Sequence, residues 1–590
     1  MNPLFTFYND QITKYNAKAS RLKEQLLASS FIRLGVFAAA ALGIYFLFGN
    51  TKLVFALVLV TVIVFVFLVS RHSDLQHKRN KFLAIIKINK TEIAVLERKF
   101  HHLADGNEFT DATHHFSQDI DLFGKGSFYQ YCNRTALTQG SETLSRFFTE
   151  NCIDEIPEKQ LAIDELSKMP EWRQEFSAIA SLVKVETHYK TIISWLKKHN
   201  SFVPNTMKFL PNILSVVSIL TLVLYFTGII SGYFSGICFL IGMLITGTYF
   251  KKVSKLSMDT GKIQTTFQQY QQLIVAIENA TFTASILKKQ QAAVMQHNKK
   301  TSEILKDFAR ILGALDQRNN MIFGILGNGF LLWDLKQSYK IENWIKTYGN
   351  DVEQWFTAIA FFDAYNSLGN FRYNHPHYVF PKITTDNKVL NSTKASHPLL
   401  DPKKSVPNNI TIANKEFFII TGANMAGKST FLRTVSLQIV MANVGLPIAA
   451  ANATYTPIKL ITSMRTTDSL TDDESYFFSE LKRLKFIVDQ IQKDRYFIVL
   501  DEILKGTNST DKAIGSQKFI EKLIGSKSTG IIATHDLSLC KTAEQFSQVK
   551  NYYFDAEIKN NELHFDYKFK TGICQNMNAS FLLKKMGIVD

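Results

Sequence analysis

Four stretches of the chain depart from the usual mixture of apolar and polar positions by losing the charged ones. Residues 31–48, "FIRLGVFAAAALGIYFLF", and residues 53–70, "LVFALVLVTVIVFVFLVS", are separated only by "GNTK". Residues 209–230 and 233–250 form a second pair, joined by "SG", and Arg33 at the edge of the first run is the one charged residue in all four. A surface helix keeps a polar face, whereas these runs keep no charged one, and each is about long enough to cross a hydrocarbon core. The pattern predicts four transmembrane helices in two hairpins. A polar stretch precedes the first run and a second run follows at once, which is a hairpin pattern rather than that of a signal peptide. A further run, "MIFGILGNGFLLWDL" at 321–335, is shorter and contains Asn328 and Asp334. It predicts a buried helix, with contact at a membrane surface as the alternative.

Basic residues orient the hairpins. Lys14, Lys18, Arg21, Lys23 and Arg33 lie before or at the start of the first run, and Arg71, Lys78, Arg79 and Lys81 follow the second. Lys197, Lys198 and Lys208 precede the third, Lys251, Lys252 and Lys255 follow the fourth, and the connecting turns hold only Lys52. The positive-inside rule therefore places every long segment on the cytoplasmic side of an inner (cytoplasmic) membrane, as a multi-pass protein in contact with the lipid bilayer. A formal net charge of +16 over 590 residues suits anionic partners, nucleic acid or lipid, but much of it flanks these runs. The length implies several domains, and 46% apolar with 20% charged residues implies folded ones. Cys132, Cys152, Cys238, Cys540 and Cys574 are scattered, without a C-x-x-C pair, and read as reduced core or cytosolic residues.

The chemistry-bearing pattern begins after "EFFII", a strand-like run. Gly422-Ala423-Asn424-Met425-Ala426-Gly427-Lys428-Ser429 fits G-x-x-x-x-G-K-[ST], and a helical pattern begins with Ser429 and Thr430. Loop and helix N-terminus would cradle the phosphates of ATP, with Lys428 on the β- and γ-phosphates and Ser429 on Mg²⁺. "YFIVLDE" (496–502) is a second strand ending in carboxylates: Asp501 suits the Mg²⁺ shell, and Glu502 a base orienting the attacking water. "GIIATHD" (530–536) is a third, and His535 at its end can sense the γ-phosphate or fix that water.

Together these segments resemble the MutS family, the ATPases of DNA mismatch repair and their relatives. "TGANMAGKSTFLRTV" is similar to the family's T-G-P-N-M-x-G-K-S-T loop with Ala423 for proline, "LDEILKGTNSTD" to its Asp-Glu segment, and "ATHD" to its A-T-H motif. "DDESYFFSEL" resembles the S-T-F-x-x-E signature through Ser475, Phe477 and Glu480. In the family this segment reaches the nucleotide of the opposing subunit, so the resemblance implies a composite site in a homodimer, with Ser475 contributed in trans. Upstream, "DIDLFGKGSFYQYCNRTALTQGSETLSRFF" resembles the start of the core domain, with Gly140 and Leu144 in its G-x-x-x-L spacing and Thr138 one place from the usual threonine. "EKQLAIDEL" and "FDAYNSLGNF" resemble later core segments, "VPNNITI" the strand before the phosphate loop, and "NMNASFLLKKMGI" the closing helices.

Three departures shape the functional expectation. Where the family keeps its mismatch reader with a Phe-x-Glu tripeptide, this chain has the first hairpin and a helix. Phe148-Thr149-Glu150 falls inside the core instead. Where the family's levers carry a DNA clamp, "VKVETHYKTIISWLKKHN" runs into the second hairpin and "KKVSKLSMDTGKIQTTFQQYQQLIVAIENA" leads back out. Asp472, Asp473 and Glu474 make the stretch before Ser475 acidic, which weakens the case for activation in trans. The expected fold is multidomain α plus α/β. It comprises an N-terminal helix (1–30), hairpin 1 (31–70), a connecting helix (71–109) and a MutS-like core with first lever (110–208). Hairpin 2 (209–250), returning lever and core (251–385), an ABC-type P-loop NTPase domain (386–569) and a helical dimerisation segment (570–590) follow. The expected function is a membrane-anchored, Mg²⁺-dependent ATPase with DNA association. The alternatives are an ATP switch acting on lipid or an unknown protein partner without DNA, and, last, an ABC-type transporter.

Overall fold

The computed structural model describes residues 3–183, 188–295, 299–465, 476–505, 508–559, 562–575 and 588. It is a multidomain α plus α/β molecule, with helices up to Asn374 and mixed sheets beyond. Helix α1 (Pro3–Phe46, 44 residues) and helix α2 (Thr51–Leu96, 46 residues) form one antiparallel hairpin. At 1.5 Å per residue they are about 66 and 69 Å long. The turn between them is closed by Asn50, whose Oδ1 accepts the Leu53 N–H at 3.3 Å. Near the turn the pair exposes apolar side chains on every side, among them Phe31, Phe37, Phe48, Phe55 and Phe67. Away from it the sequence turns amphipathic and the helices dock on the core. There the Tyr8 hydroxyl donates to Asn374 Oδ1 at 2.6 Å, and Ile85, Ile86 and Asn89 are buried. Neither helix breaks at the expected boundaries near residues 30 and 70.

The second apolar pair comprises the Leu210–Phe226 and Tyr233–Gly261 helices. Among the described residues three helices are long and apolar enough to cross a membrane: α1, α2 and Tyr233–Gly261; the apolar Leu210–Phe226 helix, at 17 residues, is shorter. The lever expected to enter this pair is interrupted. The Tyr189–Lys198 helix stops, and an extended stretch at Phe202 and Val203 donates both backbone N–H groups to the Glu342 carboxylate, at 2.8 and 3.1 Å. Pro204 and Pro211, which lack N–H groups, keep that entry from being one helix. The exit is continuous, because Tyr233–Gly261 runs well past the apolar stretch.

The expectation of a buried helix at 321–335 needs correction. Helix Met321–Leu331 ends where Leu332 adopts φ +49°, and its outer face exposes Met321 (77%) and Ile322 (72%) together with Ile325 and Leu326. Its inner face holds the polar group that suggested burial: Asn328 Oδ1 accepts the Asp334 N–H at 2.9 Å. The Asp334 carboxylate pairs with Arg318 at 2.9 Å, just after the helix. The helix meets Tyr233–Gly261 backbone to backbone. A Cβ on Gly242 would lie 2.0 Å from the Gly329 carbonyl oxygen, so only glycine fits there.

At the centre of the helical part is Val352–Asn374, apolar on nearly all faces because other helices surround it; Trp355, Phe356, Phe362 and Leu368 are all buried. Its one buried carboxylate, Asp363, accepts the N–H groups of Ala136 and Leu137 at 3.1 and 2.9 Å. Gly140 lies against it, where a Cβ would come within 2.1 Å of Asp363 Oδ2. The glycine at the head of the Thr138–Thr149 helix is therefore a close-approach residue, and burial pushes the Asp363 carboxyl up to about 7.

Beyond the helices, a four-stranded sheet has the order Lys382–Ile383, Asn452–Tyr455, Lys388–Ala395, Asn408–Ala413. A six-stranded sheet has the order Lys570–Thr571, Val549–Phe554, Phe417–Gly422, Thr529–Ala533, Tyr496–Asp501, Lys459–Ser463, parallel except for its Lys570–Thr571 edge. Phe417–Gly422 is inside this sheet and buried along its whole length, as its unbroken apolar run dictates.

Candidate functional site

The C-terminal ends of three neighbouring parallel strands meet at one point, where open α/β sheets place their ligands. Strand Phe417–Gly422 leads into a loop with positive φ at Gly422 (+147°), Met425 (+67°) and Gly427 (+107°). Gly422 is obligatory on steric grounds too, since a Cβ there would sit 2.5 Å from the Phe554 carbonyl oxygen. Ala423 is half-buried, Asn424 and Met425 are exposed, and Ala426 is buried beneath the loop. The loop delivers the chain into the Lys428–Val444 helix, whose first turn has no side-chain cap at Gly427. Uncapped N–H groups at a helix start are a ready anion site.

Lys428, buried at the helix start, donates from Nζ to the carbonyl oxygens of Gly422 (2.7 Å) and Ala423 (3.0 Å). Burial lowers its pKa, against the pull of Asp501 and Glu502. One residue on, Ser429 Oγ donates to Asp501 Oδ2 at 2.7 Å, at the end of strand Tyr496–Asp501, and burial raises the Asp501 carboxyl. Glu502 adopts φ +51°, its N–H donates to the Ala533 carbonyl at 2.9 Å, and its Oε1 lies 3.0 Å from His535 Nε2. The hydrogen bond from His535 holds the Glu502 carboxyl down at about 2. The same Nε2 lies 3.2 Å from Lys428 Nζ. One ring nitrogen cannot donate to a carboxylate and accept from an ammonium at once, so His535 Nε2 serves one or the other according to which ring nitrogen carries the hydrogen.

Lys428, Ser429, Thr430, Asp501, Glu502 and His535, all singled out in the sequence, thus line a single cavity of about 780 Å³. Ser475 lies outside the described residues, as do Asp472, Asp473 and Glu474. Glu480, from the same signature, is described and has a local task. Its carboxylate accepts the N–H groups of Leu504 (2.6 Å) and Lys505 (3.0 Å), fixing the turn that follows Asp501 and Glu502.

The far wall of the cavity was not legible in the sequence. It comes from the segment after strand Lys388–Ala395, with His397, Leu400 and Val406, and from Tyr567. No spacing marks these residues, and only the fold brings them across from the loop. Burial pushes His397 down to about 4, so this wall is neutral at its histidine. Arg98, just past the end of α2, reaches the same segment: its guanidinium donates to the carbonyl oxygens of Pro398 (2.8 Å) and Leu400 (2.9 Å). Its own backbone is tied to the helix by its N–H bond to Val95 and by that of Lys99 to Ala94.

The arrangement can bind an anion on the loop and helix start, hold a hard cation on adjacent oxygens, and position a water beside Glu502. The family described as MutS domain V matches residues 418–584, which contain the loop, Lys428, Ser429, Asp501, Glu502 and His535. The chain is 30% identical over 213 residues to the DNA mismatch repair protein MSH4 of Arabidopsis thaliana, covering 35% of this chain and 27% of that protein. It is 31% identical over 213 residues to the human MutS protein homolog 4 (34% and 22% covered). It is 32% identical over 237 residues to the DNA mismatch repair protein MutS of Prochlorococcus marinus strain NATL2A (38% and 25% covered). The chain spans about a quarter of the length of these relatives. Over residues 418–584, which carry this site, the chain is similar to domain V of the MutS family.

Proposed function

We propose that the chain is a membrane-anchored, MutS-type ATPase whose cytoplasmic domains work as a homodimer on an inner membrane. The observation that carries the ATPase reading is the convergence of Lys428, the Ser429–Asp501 pair and the Glu502–His535 pair on one cavity at an uncapped helix start. In this reading the Gly422 and Ala423 carbonyl oxygens hold Lys428 until phosphate oxygens of ATP replace them, and the loop and helix N–H groups cradle the phosphates. The hydroxyl of Ser429 and the carboxylate of Asp501, already in contact, fit Mg²⁺, which when bound neutralises phosphate charge. A carboxylate held near pKa 2 is a poor proton acceptor, so Glu502 acts chiefly by orienting the attacking water, and His535 fixes Glu502. Ser475 of the opposing chain completes the site.

The domain division expected from the sequence belongs to this proposal, with both apolar hairpins in lipid. The exposed apolar belts of α1, α2 and Tyr233–Gly261 support it. The names of the relatives support DNA association. Hairpins at the places of the mismatch reader and the clamp favour the second reading, an ATP switch acting on lipid or a protein partner. Purified protein should bind ATP, and Lys428→Ala should abolish binding; undiminished binding by that variant would sink the site. Anisotropy titrations with matched, mismatched and branched duplexes across salt separate the two readings. Binding that weakens steeply with salt supports a DNA role, and absence of binding at low salt supports the switch.

A further inference from the structure

A second cavity, of about 540 Å³, lies between α2 and the Pro170–Ser181 and Val352–Asn374 helices, away from the nucleotide site. Two features of its lining have no account in the fold. Asn366 is 3% exposed, yet neither its Nδ2 nor its Oδ1 has a hydrogen-bond partner. Arg173 is 4% exposed and lacks a carboxylate partner among the described residues. Its Nε donates to the Leu166 carbonyl (2.8 Å), its Nη1 to Asn370 Oδ1 (2.9 Å), and the guanidinium rests 5.5 Å from the Tyr373 ring centre. Burial works against that charge and lowers its pKa.

The nearest acid, Glu92, is already committed. One oxygen takes the Arg134 Nε at 2.6 Å and the other the Asn374 Nδ2 at 2.8 Å. Arg134 also lines the cavity, and Lys87 stands exposed at its mouth. Three cations therefore face one engaged carboxylate. Buried charge is retained where something pairs with it, and a buried amide with both atoms unpaired calls for a partner offering both an acceptor and a donor. Leu83, Ala84 and Ile88 of α2, with Leu103 and Leu182, give the wall an apolar part beside polar residues such as Thr91, Gln174 and Ser177.

We propose that this cavity binds a small organic anion with an apolar body. Its carboxylate or phosphate lies against Arg173 and Arg134, and a hydroxyl or protonated phosphate oxygen meets Asn366. Such a ligand would clamp α2 to the core, because one wall of the cavity is α2 itself.

The test is a titration of the full chain in phosphatidylcholine nanodiscs with hexyl phosphate, 3-hydroxyhexanoate and, as the uncharged control, hexanol. Circular dichroism melts establish that each variant is folded. Hexyl phosphate or 3-hydroxyhexanoate should bind saturably, and whichever binds identifies the anion class, while hexanol binds at least tenfold more weakly. Asn366→Leu and Arg173→Met should each weaken anion binding tenfold or more. Without ligand, Asn366→Leu should melt higher, since an unpaired buried amide has been removed. Lys428→Ala should leave anion binding unchanged, which separates this site from the nucleotide site. No saturable anion binding in the folded wild type overturns the proposal, as does equal affinity for hexanol or an Asn366→Leu variant that melts lower and binds as before. Loss of anion binding in Lys428→Ala places the anion in the nucleotide cavity and also overturns it.

Discussion

Glu502 and Asp363 are both carboxylates inside the molecule, and their surroundings drive them in opposite directions. His535 bonds Glu502 and holds its carboxyl at about 2, so it is charged at any working pH. Glu502→Gln keeps the size and removes the charge that, in the proposed ATPase, orients water. It is expected to retain ATP binding while slowing hydrolysis on the order of 100-fold or more, measured as phosphate release against nucleotide binding. Asp363 has no cation, only the Ala136 and Leu137 N–H groups, and burial raises it to about 7. A folded-state pKa above the ordinary 3.8 means that the folded form holds its proton more tightly. The stability linked to Asp363 is therefore fully present below pH 3.8 and lost as pH rises toward 7. At 1.36 kcal/mol per pH unit that is on the order of 4 kcal/mol. Denaturant melts should show this falling component between those limits in wild type and not in Asp363→Leu, so the stability of the variant relative to wild type should rise with pH; a difference that stays flat or falls would contradict it.

At the scale of elements, legibility followed how local the determining contacts are. The strands Phe417–Gly422, Tyr496–Asp501 and Thr529–Ala533 and the helix Lys428–Val444 were readable because apolar runs, glycines and their spacing are local signals. Chemistry at strand ends was readable for the same reason. The wall with His397 and Tyr567 was not, because its residues are joined only by the fold. The lever entry was misjudged because Glu342, which holds Phe202 and Val203 out of the helix, is remote in sequence. Helix Met321–Leu331 was misjudged because Asn328 and Asp334 signal burial, yet they satisfy only the inner side. Its crossing of Tyr233–Gly261 gives a test. Gly242→Val places a side chain where the Gly329 carbonyl oxygen now lies, and should force the helices apart. Disulfide formation between cysteines at Phe239 and Phe330, whose rings lie 5.2 Å apart, should be efficient in the parent and lost with Gly242→Val.

On the scale of the whole molecule, the chain joins a helical body, apolar hairpins and a C-terminal part whose residues 418–584 match MutS domain V. Its formal charge of +16 was legible as an invitation to anions, but not where they would bind. The fold distributes that charge: some residues flank the apolar runs, and Arg134 and Arg173 are drawn into a cavity beneath α2. If the hairpins lie in lipid, ATP turnover should depend on the surroundings of the apolar belts. Hydrolysis rates of the same preparation in detergent and in nanodiscs should differ, and identical rates and nucleotide affinities would argue that the belts and the site are independent.

Arg98 gives that dependence a direction. Helix α2 is one uninterrupted rod, about 69 Å long, whose apolar end lies near Asn50 and whose other end is tied through Arg98 to Pro398 and to Leu400, which lines the candidate site. A rod fixed in a bilayer changes tilt when bilayer thickness changes, and small angles become ångström displacements at its far end. With the hairpins in lipid, as proposed, the site would act as a gauge at the end of a pointer. ATP hydrolysis should vary with lipid chain length in nanodiscs, and Arg98→Ala, which cuts the pointer from the dial while leaving Lys428 and Glu502 in place, should flatten that variation.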